Sequence, residues 1–128
     1  MIIGTGIDIV EVERIRLSIA EYGVQFIQRI FSDDEIKYCS QKPIHQQPLH
    51  YAARFAAKEA FSKAIGSGIG EMIAFKDICI INDQRGKPTV NIRNPNVAIL
   101  LNNAIVHCSL SHSHSYAVAS IIIEKSSH

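Results

Sequence analysis

Apolar and polar positions change period several times along the chain, and each change marks an element. Residues 2–10 read as a strand: Ile2, Ile3, Ile7, Ile9 and Val10 give β-branched character, while Gly4 and Gly6 mark a bend or the close approach of another backbone. From Glu11 to Ala20, Val12, Ile15 and Ile19 recur at helical spacing, and after a break near Tyr22-Gly23 the same period resumes through Phe26, Ile27 and Ile30. Ser32-Asp33-Asp34-Glu35 has the form of a capping box, which opens a short helix through Ile36 and Cys39. Ser40 to Pro48 has no period and predicts a loop.

A long helix follows and ends at Gly66 and Gly68, where left-handed backbone is cheap. At about 100° per residue, Ala53, Ala56, Ala57, Ala60, Phe61 and Ala64 form one arc, and Arg54, Lys58, Glu59, Ser62 and Lys63 the opposite one. The alanines predict tight packing against a sheet, with the charged arc held in a fixed place. Glu59 and Lys63, four residues apart in the favourable order, also fit a merely solvated face.

Beyond Gly70, Phe75–Ile81 and Thr89–Ile92 read as strands joined by a hairpin loop at residues 82–88. Asn94-Pro95 is a helix start, with the helix running to about Asn102. Val106, Cys108, Leu110 and His112 share one face of a strand, Ser113-His114-Ser115 turns, and residues 116–124 return. One strand, then helices, then a mainly antiparallel sheet packed on the long helix gives an α+β class, with one compact domain expected over residues 1–128.

With 128 residues, 47% of them apolar, the chain can bury a sizeable core. Thirteen basic against twelve acidic residues leave a net charge of +1, which excludes a general nucleic-acid binder and requires any anionic partner to meet a local patch. Cys39, Cys79 and Cys108 are widely spaced and form no Cys-x-x-Cys pair, so they read as buried thiols in a reducing cytoplasm. No apolar run approaches membrane-spanning length, and no membrane partner is expected.

Two residues stand out against their surroundings. Asp8 lies in an apolar strand, where a carboxylate is costly unless it is paired, caps the next helix or binds a metal. His112 has the phase of an apolar face, where a histidine is either a hydrogen-bonded core residue or a working group. His107, Cys108, His112 and His114 lie close in sequence, but their spacing matches no zinc pattern.

Three segments carry a resemblance. Arg54-Phe55-Ala56-Ala57-Lys58-Glu59-Ala60-Phe61-Ser62-Lys63-Ala64-Ile65-Gly66-Ser67-Gly68 resembles the signature helix of the 4′-phosphopantetheinyl transferases, of the small holo-acyl-carrier-protein synthase type. Residues 6–15, Gly-Ile-Asp-Ile-Val-Glu-Val-Glu-Arg-Ile, resemble that family's N-terminal motif, and residues 109–119, Ser-Leu-Ser-His-Ser-His-Ser-Tyr-Ala-Val-Ala, its C-terminal one. Gly86-Lys87-Pro88 matches a family tripeptide used against the adenine end of coenzyme A.

The resemblance implies the compact phosphopantetheinyl transferase fold and transfer of 4′-phosphopantetheine from coenzyme A to a serine of an apo acyl carrier protein, in support of fatty acid biosynthesis. It implies Mg²⁺ on Asp8 and Glu59, charge neutralisation by Lys63, and proton removal by Glu59 acting through water or by Asp8. Arg54, Lys58, Ser62, Gly86, Lys87, Pro88 and His112 are the expected coenzyme contacts. Carrier docking is expected through Arg14 and Arg29 with apolar help from Phe26, on a patch thinned by Glu11, Glu13 and Glu21 and by Gln25 and Gln28. His114 and Ser115 stand where a lysine and an acidic residue are common in the family. A homotrimer with the active site between subunits is implied as well. A non-catalytic nucleotide or carrier-binding module and a metal-dependent pyrophosphate hydrolase are the competing functions.

Overall fold

The computed structural model describes residues 1–70 and 72–126. The elements run β1 (Ile2–Glu11), α1 (Val12–Tyr22), α2 (Val24–Ile30), α3 (Asp33–Ser40), α4 (Gln47–Ile65), β2 (Ile78–Asn82), β3 (Pro88–Ile92), α5 (Pro95–Leu100), β4 (Ala104–His112) and β5 (Tyr116–Lys125). The strands form two antiparallel sheets, β1-β5-β4 and β2-β3, where one mainly antiparallel sheet was expected. Residues 75–77 form a 3₁₀ turn, so the strand expected from Phe75 begins at Ile78. Asp77 causes this by folding back to accept the Ala74 N–H at 2.9 Å.

Small residues set the spacing between α4 and the three-stranded sheet. Ala53, Ala56, Ala57, Ala60 and Ala64 of the helix and Ala117 and Ala119 of β5 are all buried. Gly4 and Gly6 of β1 lie directly on the helix backbone: an added Cβ would sit 2.2 Å from the Ala64 carbonyl oxygen and 1.9 Å from that of Ala60. The close approach predicted from these glycines is therefore to α4.

The helix is far more enclosed than its two-arc pattern suggests. Between residues 51 and 65 only Lys63 is exposed, while Phe55, Glu59 and Ile65 are half-buried. Arg54, Lys58 and Ser62, expected on a solvated arc, are interior. The cause is that α3 and β2 cover the side of the helix that the sheet leaves open. What remains open is a narrow stripe of Phe55, Glu59 and Lys63, each one turn beyond the last.

The caps follow the sequence. Ser32 and Glu35 close a capping box at the start of α3, and Asn94 accepts from the N–H groups of Asn96 and Val97 at the start of α5. Gly66 ends α4 with φ of 86°. The three cysteines are free and buried, and burial pushes the Cys39 thiol up to about 12. Among the described residues no helix is long and apolar enough to cross a membrane.

Candidate active site

Alternation along β1 turns Gly4, Gly6, Asp8 and Val10 toward the helix. Since Gly4 and Gly6 rest on Ala64 and Ala60, Asp8 at the next inward position meets the residues beside those alanines. Lys63 donates to Asp8 Oδ1 at 2.9 Å and to the Ile7 carbonyl at 3.1 Å. Asp8 caps no helix, because α1 starts at Val12 behind an N-cap at Glu11. Glu59 completes the group: burial first, and then the neighbouring Asp8 charge, push its carboxyl above its ordinary value, while Lys63 and Arg14 pull it back. Residues 51 positions apart thus share one site.

The donor set fits a hard divalent cation. Two carboxylates, Asp8 and Glu59, face each other beside the Lys63 ammonium, and burial first and the Asp8 charge second hold the Glu59 carboxyl above its ordinary value. Mg²⁺ is commonly held by one or two carboxylates, with substrate phosphate and water filling its octahedron.

A second group lies where α3, α4 and β2 meet. Arg54 donates to Asn82 Oδ1 at 3.1 Å and to the His50 carbonyl at 3.4 Å, and its guanidinium lies 4.0 Å from the centre of the Tyr38 ring. The Arg54 Nε is buried without a partner among the described residues. The His50 ring packs edge-on between Tyr38 at 5.9 Å and His112 at 6.3 Å, and Lys42 lies over Tyr38 at 4.6 Å. Burial, then Lys42, Arg54 and His112, hold the His50 imidazole below its ordinary value. Beside this cationic and aromatic strip is an open pocket of about 300 Å³ lined by Asp34, Lys37, Tyr38, Gln41, Arg54 and residues 80–82.

His112, at the exposed end of β4, lies across β5 from Val10, since both pair with Ala117. Asp8, two positions along β1, is therefore roughly 12 Å from it between Cα atoms. Gly86 turns the β2–β3 hairpin with φ of 82°, Asp83 accepts from the N–H groups of Arg85 and Lys87, and Pro88 pairs with Asn82. Through Asn82, the Gly86-Lys87-Pro88 hairpin is tied to Arg54.

Two expected coenzyme contacts face inward. The Lys58 ammonium is fully enclosed, 2.6 Å from Glu35 and 3.0 Å from the Phe75 carbonyl, and it also donates to the Ile78 carbonyl. With all three hydrogens engaged it has none left for a coenzyme. Ser62 is also enclosed, its hydroxyl bonded back to the Glu59 carbonyl at 2.7 Å. Of the three expected carrier contacts, Arg14 acts on Glu59 at the edge of the carboxylate pair, whereas Phe26 and Arg29 line a groove of about 470 Å³ with Ser18, Tyr22 and Gln25.

Tyr38, His50 and Asn82 were not legible as site residues, since each is placed by contacts across elements. Glu35 carried one signal, its place in the capping box, which already accounted for its carboxylate.

Comparison with known proteins agrees with this geometry. Residues 4–121 match the model of the 4′-phosphopantetheinyl transferase superfamily. A holo-[acyl-carrier-protein] synthase of Syntrophus aciditrophicus is 44% identical over 126 residues, covering 97% of each chain. That of Geobacillus kaustophilus is 45% identical over 98% of this chain and 91% of its own. Among solved structures, the Bacillus anthracis holo-(acyl-carrier-protein) synthase in complex with CoA (3′,5′-ADP) superposes with a TM-score of 0.84 at 40% identity, over 98% of this chain and 99% of its own. The Helicobacter pylori enzyme in complex with coenzyme A gives 0.83 at 31% identity, over 94% and 99%. By motif, fold and relatives alike, the chain belongs to the 4′-phosphopantetheinyl transferase superfamily.

Proposed function

We propose that the chain is an Mg²⁺-dependent holo-acyl-carrier-protein synthase, one domain over residues 1–128 that serves fatty acid biosynthesis in the cytoplasm. It moves 4′-phosphopantetheine from coenzyme A to a serine of an apo acyl carrier protein. The observation that carries this is the convergence of Asp8, Glu59 and Lys63 from distant elements. The serine Oγ–P bond forms as the P–O bond to the bridging oxygen breaks, and that oxygen leaves with adenosine 3′,5′-bisphosphate. Asp8 and Glu59 would hold Mg²⁺, which when bound would supply charge neutralisation and alignment at the pyrophosphate.

The remaining work falls to the chain's own residues. Glu59, half-buried beside Asp8, takes the serine proton through water. Lys63, paired with Asp8, offsets the charge that grows on the leaving group. Arg54, His112 and the Gly86-Lys87-Pro88 hairpin take the nucleotide end, a role supported by the unpartnered Arg54 Nε. Replacing Lys63 by Ala is expected to lower kcat by about a hundredfold while the KM for coenzyme A moves less than about threefold. Steady-state kinetics in both substrates checks this, and equal losses in kcat and coenzyme affinity would make Lys63 a docking residue instead.

The carrier docks through Arg14, Arg29 and Phe26, with Tyr22 beside the latter two. Assembly as a homotrimer is supported by the outer face of the sheet, where Ile7 and Ile9 of β1 and Ile105 of β4 are each about 60% exposed and Ile122 of β5 is 38% exposed. An apolar sheet face of this kind calls for a second layer. Ile9→Glu should therefore give monomers in light scattering and lose most turnover. Monomers with full activity would exclude a site shared between subunits.

Intact-mass spectrometry of an apo carrier protein incubated with the enzyme, coenzyme A and Mg²⁺, against an EDTA control, tests the function. A metal-dependent gain of one phosphopantetheine is expected. Cleavage of coenzyme A without modification of the carrier would indicate a hydrolase, and an unchanged mixture a binding module.

A further inference from the structure

Behind the Arg54 pocket lies an ion pair with no exposure to water. Lys58 of α4 and Glu35 of α3 meet at 2.6 Å, and both side chains are fully buried. Every polar atom of the pair is engaged. Besides Lys58, Glu35 Oε1 accepts from the Ser32 N–H at 2.9 Å and the Ser32 hydroxyl at 3.2 Å, and Oε2 accepts from the Ile80 N–H at 3.0 Å. Lys58 donates to the carbonyls of Phe75 and Ile78 in addition to Glu35.

The attraction between the two charges gives no net stability reason for this arrangement. Removing two charges from water costs about what their attraction returns, and well-packed apolar residues of similar volume commonly do as well or better. What apolar residues lack is direction. The pair bonds three backbone groups of residues 75–80 and so fixes both the distance and the rotation of β2 against α4. Those groups bear on the neighbouring pocket, whose walls are α3, α4 and β2. One helical turn before Lys58 is Arg54, and four residues after Ile78 is its acceptor Asn82, at the base of the β2–β3 hairpin.

We propose that Glu35 and Lys58 are positioning residues for the coenzyme pocket, holding Arg54, Asn82 and the hairpin at their working separation without touching substrate. This rests on the assignment of that pocket to the nucleotide end of coenzyme A.

The test is the double variant Glu35→Leu/Lys58→Met, alone and combined with Arg54→Ala, with Arg54→Ala in the parent as reference. The double variant leaves the buried Ser32 and Ile80 N–H groups and the Ile78 carbonyl without these partners, so it is expected to fold but to melt below the parent temperature. Its KM for coenzyme A should rise about tenfold, with kcat within about threefold and the KM for the carrier unchanged. Adding Arg54→Ala should then raise the coenzyme KM no further than Arg54→Ala does alone, because the pair acts through that residue. A folded double variant with parental coenzyme KM, or strict additivity with Arg54→Ala, overturns the proposal. If Arg54→Ala in the parent leaves the coenzyme KM unchanged, the pocket assignment falls and the proposal with it, which separates the two failures. Should the double variant not fold, Glu35→Gln keeps the volume and one acceptor oxygen. A raised coenzyme KM with an unchanged carrier KM then supports positioning, and a parental coenzyme KM overturns it.

Discussion

Glu59→Gln and Asp8→Asn are each expected to lower turnover by about a thousandfold while leaving the fold intact, because each removes half of the charge proposed to hold the metal. The stability signs make the prediction specific. Burial and Asp8 raise the Glu59 carboxyl above its ordinary value, so without metal the folded state holds that proton more tightly than the unfolded state does. The Glu59 contribution to stability then falls as pH rises from the unfolded pKa through the raised folded one. Glu59→Gln removes this cost, and its melting temperature in EDTA should equal or exceed that of the parent. Mg²⁺ inverts the effect, since it needs the ionised carboxylate: its affinity for the parent should rise with pH across the same window, with release of a proton. In Glu59→Gln the Mg²⁺-induced rise in melting temperature should vanish. Calorimetric scans with and without metal, beside single-turnover rates, check both halves. Near-parental turnover in either variant would remove the proposed metal site.

Asp8→Asn differs in one respect. It leaves Lys63 without its ion pair, but that lysine side chain is about half exposed, so the stability change should stay within about 1 kcal/mol. The two proposed metal ligands are thus predicted to be alike in activity and to differ slightly in stability.

How far the sequence revealed these roles depended on whether a residue acts within its own element or across a gap. The caps of α3 and α5, the strand at residues 2–10 and the glycine contacts were local or nearly local signals, and the structure bears them out. Helical phase showed which side of α4 carries alanines. It could not show that the opposite side is covered too, because Lys58 and Arg54 are buried by partners such as Glu35, Ile78 and Asn82 that lie 20 or more residues away. A lysine in an amphipathic pattern reads as solvated, and only a carboxylate supplied from α3 makes its burial tolerable. His112 was assigned by phase to the inner face, yet it is exposed, since at the end of β4 that face has run out beyond the buried Cys108. Asp8 and Glu59 were linked by resemblance alone, and the fold brings them to one site.

Gly6→Ala is expected to destabilise the protein by at least about 3 kcal/mol, against the modest stabilisation a glycine-to-alanine change gives where there is room. The added Cβ would lie 1.9 Å from the Ala60 carbonyl oxygen and 2.9 Å from both the Ala60 carbonyl carbon and the Ala64 nitrogen. All three are backbone atoms of α4, so no rotamer change relieves the clash and the strand must move off the helix. Gly23 supplies the contrast: its φ of 59° with ψ of −133° strains an alanine, but nothing lies within 4 Å, so Gly23→Ala should cost only the backbone strain, about 1–3 kcal/mol. Trimming the facing side chain gives a sharper test. If crowding came from the Ala60 methyl, Ala60→Gly would rescue Gly6→Ala; because it comes from the carbonyl, the double variant should be less stable still, by the intrinsic cost of about 1 kcal/mol for glycine within a helix. Function should fail along with packing. Asp8 is two residues from Gly6 on the same face of β1, so a strand displaced from α4 carries Asp8 away from Glu59 and Lys63. Below its melting temperature, Gly6→Ala should accordingly bind Mg²⁺ weakly and turn over slowly even while folded. Melting curves with Mg²⁺ titrations on the two single variants and the double variant check this, and a folded Gly6→Ala with parental Mg²⁺ affinity would separate strand spacing from metal binding.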